Sequence, residues 1–368
     1  MTLRTETERI KIDHMRQLAA YREGLRRAPQ LRQLFLELTL RCNEHCLHCG
    51  SSCGDAPCPE LSPEQYRVFL EKVKRDFDVS RMMLCITGGE PLLRRDFFEI
   101  MEIAHRLGYG WGMTSNATLI EGETARRLRE TGMRTISVSV DGLRETHDAF
   151  RRRPGAYDAA MSGVAALVRE GGFHNVQITS VLTHESIGEL DAMYKVFCKT
   201  GIDSWRLVGM EPIGRALQHP ELMLTAEDWR YLFRFIREKR RRGLPVSYGC
   251  THYLGLDFER EVRDWYWLCN AGVYVASVMT NGDIGACLDI ERRPETIQGN
   301  ILTDDFTEVW NSRFQIFRQD LSALNEGCAA CESRAFCGGG AFHSWDYDEN
   351  RPRVCFRGIL FENEGLDN

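Results

Sequence analysis

The feature that most constrains this chain is an alternation running from Leu34 to Arg242. Short apolar runs recur: "LFLELTL" (Leu34–Leu40), "RMMLCIT" (Arg81–Thr87), "YGWGMTSN" (Tyr109–Asn116), "RTISVSVDG" (Arg134–Gly142), "NVQITSVLT" (Asn175–Thr183) and "SWRLVGM" (Ser204–Met210). Each is followed by a stretch with helical periodicity, ending with "AEDWRYLFRFIREKRRR". Apolar strands separated by amphipathic helices predict a parallel sheet, because each crossover needs a helix to cover a face. Six βα units are fewer than the eight of a closed barrel. The expectation is an α/β fold, a partial, TIM-like (β/α)6 barrel left open, with a doubly wound sheet as the other candidate. In both, functional residues belong at the C-terminal ends of the strands.

The unusual residues fall at those ends. After the first strand comes "RCNEHCLHCGSSCGDAPC", with Cys42, Cys46, Cys49, Cys53 and Cys58. After the second comes Gly88-Gly89-Glu90-Pro91, after the third Asn116, after the fourth Ser139-x-Asp141-Gly142. Helix signals agree: Ser62 with Gln65 reads as a capping box with Pro63 in the first turn, and Thr225 can cap the last helix. After Pro245 the pattern breaks. "GVYVASVMTNGDIGACLDI" reads as a β-hairpin turning at Asn281-Gly282, and the rest is loop-rich with a short helix near Asp305–Asn311. The reading is a lead-in over 1–32, a barrel over 33–243 and a cysteine-bearing tail over 244–368.

Fourteen cysteines need explaining. No apolar run reaches the roughly 18 residues of a membrane span, and the first residues hold no apolar signal core. The net charge of −6 argues against nucleic acid as the main partner. The expected compartment is therefore the cytoplasm, where disulfides are rare, so the thiols should be metal ligands, reactive groups or small hydrophobes. Cys85, mid-strand, and Cys198, on a helix, read as buried hydrophobes. Cys42, Cys46 and Cys49 give C-x3-C-x2-C. Three thiolates on one loop suit a 4Fe–4S cluster with one iron left for another ligand. A closed zinc site completed by Cys53 or His48 is the alternative.

"CNEHCLHC" after one strand and "TGGEP" after the next resemble the radical SAM superfamily. The resemblance implies that Cys42, Cys46 and Cys49 hold a 4Fe–4S cluster whose open iron binds S-adenosyl-L-methionine. It places Gly88, Gly89 and Glu90 at the methionine amino group and Ser139 and Asp141 near the ribose, with Asn116 on the same face. It also implies an oxidoreductase chemistry of hydrogen abstraction by a 5′-deoxyadenosyl radical, and an electron donor such as flavodoxin or ferredoxin.

The tail has its own pattern: Cys269, then Gly282 and Cys287, then Cys328-x2-Cys331-x5-Cys337, then Cys355, with "QGNI" after the hairpin. This resembles the SPASM domain, an auxiliary-cluster extension in radical SAM enzymes that modify peptides and proteins. The resemblance gives Cys328, Cys331, Cys337 and Cys355 one complete auxiliary cluster, and Cys269 and Cys287 a second. It also expects a cysteine four residues after Cys337, where this chain has Ala341. Cys250 is the expected replacement; an open iron, a smaller cluster or no cluster at that site are the alternatives. A zinc ribbon is the alternative for the tail.

Asp289 is a candidate general base close to the auxiliary site. Arg151, in "HDAFRRRPGAY", matches a recurring family motif and reads as structural. "DWYWLC" (Asp264–Cys269) could line a peptide groove or shield a cluster. The implied function is installation of a thioether or carbon–carbon cross-link on a ribosomally made precursor peptide, with a separate leader-peptide-binding protein as a further expected partner. Oxidation of a sulfatase or other protein side chain is a second reading. A non-catalytic iron–sulfur or zinc scaffold is a third.

Overall fold

Side by side and in chain order, seven strands of the computed structural model run parallel: β1 (Gln33–Glu37), β2 (Met83–Thr87), β3 (Gly110–Ser115), β4 (Met133–Ser139), β5 (Asn175–Leu182), β6 (Ser204–Gly209) and β7 (Val246–Tyr248). The structure describes residues 5–54, 56–265 and 268–362. Between the strands lie α2 (Pro63–Asp76), α3 (Phe97–Arg106), α4 (Gly122–Glu130), α5 (Arg144–Arg151), α6 (Ala156–Glu170), α7 (Leu190–Phe197) and α8 (Ala226–Lys239). The six expected βα units are present, and β7 adds a short strand beyond them.

Local sequence explains the helices. Ser62 and Gln65 exchange hydrogen bonds as a capping box at α2, and Thr225 with Asp228 does the same at α8. On α2, Tyr66, Phe69, Leu70 and Val73 form one apolar stripe at helical spacing and bury it against the sheet. Burying each such side chain contributes about 1.5–3 kcal/mol. Trp111 on β3 and Trp205 on β6 are fully buried in the same core.

The hairpin forms from β8 (Val275–Val278) and β9 (Asp283–Gly285), turning over Asn281-Gly282. It does not stand apart. Strand β8 pairs in parallel with β1, matching Phe35 to Ser277, and β10 (Gly299–Asn300) follows at the edge. The ten strands run β10-β9-β8-β1-β2-β3-β4-β5-β6-β7, an open sheet with β10 and β7 at its edges. Sheet hydrogen bonds therefore cross the expected boundary at residue 244.

The lead-in is a 22-residue helix, α1 (Glu6–Arg27), opened by a Thr5–Glu8 capping box. Its Ile12 and Met15 pack with Tyr253, Leu256 and Phe336. Arg22 donates to the carbonyls of Ala335 and Phe336, so the first helix clasps the tail. Among the described residues no helix is long and apolar enough to cross a membrane. Cys198 is exposed rather than buried, because α7 ends at Phe197 and Cys198 caps it outside the core. Tyr266 and Trp267 of the "DWYWLC" stretch lie outside the described residues.

Candidate functional site

The chain after β1 makes a loop with a closed neck. The Cys42 amide donates to Gly54 O (2.9 Å), and the Gly54 amide to Leu40 O (3.1 Å). Two further amides, His45 and Leu47, donate to the carbonyls of Arg151 and Phe150 at the end of α5. On the other side the chain after β2 prolongs sheet pairing: Gly89 N donates to Thr39 O (2.7 Å) and Glu90 N to Arg41 O (2.9 Å). That apposition explains both glycines. Gly88 has φ +152°, and a Cβ on Gly89 would stand 2.1 Å from Arg41 O. The close approach these glycines permit is to the cysteine loop's own backbone.

These strand ends surround a cavity of about 270 Å³. Cys42, Cys46 and Cys49 line it, as do Gly88, Gly89, Asn116, Ser139 and Asp289. Sequence reasoning placed all of these but Asp289 at one end of the sheet, and the structure brings them to one space; Asp289, expected beside the auxiliary site, lines the same cavity. Glu90 and Asp141 are not on its wall. Fully buried, Glu90 accepts from Ser115 Oγ (2.9 Å), Asn116 N (2.9 Å) and Leu92 N (3.2 Å). Burial pushes its carboxyl up to about 7, against those hydrogen bonds. Asn116 also spends its amide, donating to Asn43 Oδ1 (2.7 Å) and accepting from Thr118.

Asp141 belongs to a buried ion network. Arg151 Nε meets Asp141 Oδ2 at 2.6 Å, and Arg151 Nη1 meets Glu44 Oε2 at 3.1 Å. Burial alone would raise the Asp141 carboxyl, but Arg151 overrides it and holds the group below the usual carboxylate range. Glu44 moves the other way, pushed up by burial against Arg151. Arg151 thus pins the cysteine loop to the end of β4, the structural role expected of it. Sequence reasoning missed Glu44, which joins a residue inside the loop to a motif about a hundred positions later.

Arg215, on the loop after β6, was also missed. It donates from Nε to Cys46 O (2.9 Å) and from Nη1 to Cys53 O (2.7 Å), while its amide reaches Cys49 O (3.1 Å). At Gly214 (φ +52°) a Cβ would lie 2.4 Å from the carbonyls of Cys49 and Gly50, so only glycine lets this loop seat on the cysteines.

Can this cradle hold a cluster? Burial pushes the Cys42 thiol up to about 11 and Cys46 to about 12, so both stay protonated unless a metal displaces the proton. Cys49 is drawn down, first by the hydrogen bond from the Cys53 thiol, with burial opposing. The Cys53 amide also donates to Cys49 Sγ (3.2 Å), so Cys53 sits beside a candidate ligand. His48 stacks on Phe150 (4.6 Å, 10°), and burial lowers it to about 4, so it is neutral. Glu37 Oε2 faces this region with no hydrogen-bond partner among the described residues. Three soft thiols on one wall suit an iron–sulfur cluster with one iron free. The compact alternative fits worse. Among the described residues a single group of three or more His, Cys, Asp or Glu has all its ligand atoms within 4.8 Å, and it lies elsewhere.

That group is Glu211, Cys250, His252 and His343. Cys250, expected with Cys269 and Cys287, is hydrogen-bonded instead to Glu211 Oε1 (3.5 Å) and His343 Nε2 (3.4 Å). Cys269 and Cys287 are close enough for Cys269 to help raise the Cys287 thiol, after burial and Asp289. In the tail, burial pushes Cys337 up to about 12, and Cys355, Cys328 and Cys331 add to it, so these four thiols lie near one another. That donor set fits a cluster with four cysteines.

Comparison with known proteins agrees with this geometry. The model of the radical SAM superfamily matches residues 36–197, and that of the SPASM iron–sulfur cluster-binding domain matches 269–332. The chain is 30% identical over 308 residues to the mycofactocin maturase MftC of Mycolicibacterium smegmatis, covering 83% of this chain and 76% of that one. It is 27% identical over 352 residues to the AdoMet-dependent heme synthase of Methanosarcina barkeri, covering 90% and 97%. Its fold is similar to Streptococcus suis SuiB bound to precursor peptide SuiA, with a TM-score of 0.70 at 17% identity, covering 92% and 76%.

Proposed function

The chain belongs to the radical SAM superfamily, and as an enzyme of that family with a SPASM domain we propose that it cross-links a ribosomally synthesised precursor peptide. When bound, a 4Fe–4S cluster with S-adenosylmethionine supplies a 5′-deoxyadenosyl radical that abstracts hydrogen from an unactivated C–H bond. The residues that would hold the cluster are Cys42, Cys46 and Cys49. Gly88 and Gly89 would meet the methionine end and Ser139 the ribose. Glu90, with both oxygens engaged below the wall, positions Ser115 and Asn116. Cys328, Cys331, Cys337 and Cys355 would hold an auxiliary cluster.

The observation that carries this reading is the cavity itself: three thiols, a glycine pair and a carboxylate converge on about 270 Å³. Arg215, Arg151 and the β2–loop pairing fix the cysteines from three sides and hold the reacting geometry. Asp289 lines the cavity, where its carboxylate would accept a proton from the substrate. The 30% identity to MftC supports a peptide as the substrate class.

A heme-type tetrapyrrole is the second reading. It is favoured by the match to 97% of the length of the Methanosarcina barkeri heme synthase. The two separate in one assay. The anaerobically reconstituted full chain is given S-adenosylmethionine, dithionite and either the peptide encoded beside its gene or an iron porphyrin. The peptide reading expects 5′-deoxyadenosine to rise with the peptide and a product lighter by the hydrogens a cross-link removes. Stimulation by the porphyrin alone would transfer the assignment.

A further inference from the structure

The geometry points to a mononuclear, zinc-class metal site built from Glu211, Cys250, His252 and His343, separate from every iron–sulfur site. Glu211 lies just after β6, and Cys250 and His252 just after β7. His343 lies far on in the tail, in the turn Phe342–Ser344. One metal would therefore tie the ends of two barrel strands to the carboxy-terminal segment.

Spacing supports a single ion. Zinc holds sulfur at about 2.3 Å and nitrogen or oxygen at about 2.0–2.2 Å, so tetrahedral donors stand about 3.3–3.6 Å apart. Here Cys250 Sγ is 3.5 Å from Glu211 Oε1 and 3.4 Å from His343 Nε2. His252 Nε2 is 2.8 Å from Glu211 Oε1, the contraction expected where a hydrogen bond stands in for a shared ion. All four ligand atoms lie within 4.8 Å.

Two further observations point to a cation. The Glu211 side chain is 90% buried by its 10% exposure, yet its Oε2 has no hydrogen-bond partner among the described residues. A buried carboxylate oxygen left bare is costly unless something positive meets it. Charge also closes: one thiolate, one carboxylate and two neutral imidazoles carry two negative charges, which a divalent ion cancels. Thiolate, two imidazoles and a carboxylate form a mixed donor set of borderline softness, suited to Zn²⁺ rather than Mg²⁺ or Ca²⁺. Four protein donors, with His252 3% exposed, make a closed and therefore structural site.

The consequence is a brace. The Phe342 amide, next to His343, hydrogen-bonds the Cys269 thiol, and Asp289 of the cavity wall acts electrostatically on both Cys250 and His343. A metal here would fix the tail against the wall of the radical cavity, and it withdraws Cys250 from the auxiliary-cluster ligands. The inference does not depend on the substrate.

Its test is metal analysis of the full chain, purified anaerobically from medium supplied with iron and zinc chloride. About one zinc per chain is expected, and zinc-edge X-ray absorption should read one sulfur near 2.3 Å and three nitrogen or oxygen neighbours near 2.0–2.1 Å. Cys250→Ser and His252→Gln should each cut zinc at least fivefold and leave iron unchanged. The wild-type spectrum keeps the test decisive if either variant fails to fold. Less than about 0.2 zinc per chain, a shell of four sulfurs, or iron lost from Cys250→Ser in place of zinc would each overturn the site.

Discussion

The cysteine loop after β1 and the cysteine-bearing tail hold thiols by different means. The loop is positioned by backbone and buried charge: its neck is hydrogen-bonded shut, Gly89 and Glu90 pair with it, and Arg151 and Arg215 anchor it. The tail around Cys328–Cys337 rests on two helices, Glu326–Ala329 and Arg334–Cys337, each one turn long, and Cys355 is exposed. Helices that short do not persist alone in water. The cysteine loop is held by backbone pairing and buried charge, whereas the Cys328–Cys337 segment has little regular structure of its own, so a bound metal there would add more to its stability.

The largest expected effect breaks the comparison on the chemical side. Cys46→Ala should remove at least 99% of 5′-deoxyadenosine formation, about 3 kcal/mol of barrier, yet shift the stability of the metal-free chain by only about 1 kcal/mol. Activity is read by chromatography of the nucleoside, stability by thermal melting. A large stability loss without metal would mean that the loop is not preformed. The tail should answer oppositely. A Cys328→Ala, Cys331→Ala double variant should raise the rate of limited proteolysis after residue 268 about tenfold, since opening costs less once the ligand set is gone. Cleavage no faster than in the wild type would give the tail a protein-made scaffold after all.

A third prediction targets the loop's buried charge. Arg151→Met leaves Glu44 and Asp141 facing each other with no cation, and removing one partner of a buried pair costs about 3–5 kcal/mol. Arg151→Lys should recover part of that, because it restores the charge without the two-pronged geometry. A loss under about 1 kcal/mol by denaturant unfolding would show that the network does not hold the loop.

The same contrast explains what was legible in the sequence. Strand ends are readable because period and punctuation are local, so the sequence alone places Cys42, Gly88, Asn116 and Ser139 on one face. Roles below that face were not readable. The buried contacts of Glu90 in "GGEP", accepting from Ser115 and Asn116 of the next strand, have no signal in the local pattern. Glu44 and Arg215 sit in loops whose partners come from other βα units, with no spacing to betray them. Cys250-x-His252 is the one local signal of the proposed metal quartet, since Glu211 and His343 come from other parts of the chain. The hairpin was visible from Asn281-Gly282, but its docking beside β1 depends on an edge that only the assembled sheet exposes.

Glu90 gives the smallest and most specific test of a preformed loop. Its folded carboxyl stands at about 7, raised by burial from an ordinary value of 4.5. A raised acid keeps its proton longer in the folded state. Below pH 4.5 both states are protonated and its contribution is whole. As pH rises toward 7 the unfolded chain ionises first and stability falls, by up to about 1.4 kcal/mol per pH unit and about 3 kcal/mol in all. Above about 7 the loss is complete. Glu90→Gln removes this titration, so its melting temperature should fall less between pH 5 and 8 than that of the metal-free wild type. Equal slopes in the two proteins would mean that Glu90 ionises in the folded chain as it does in water, and that Ser115 and Asn116 are held by a charge from the start.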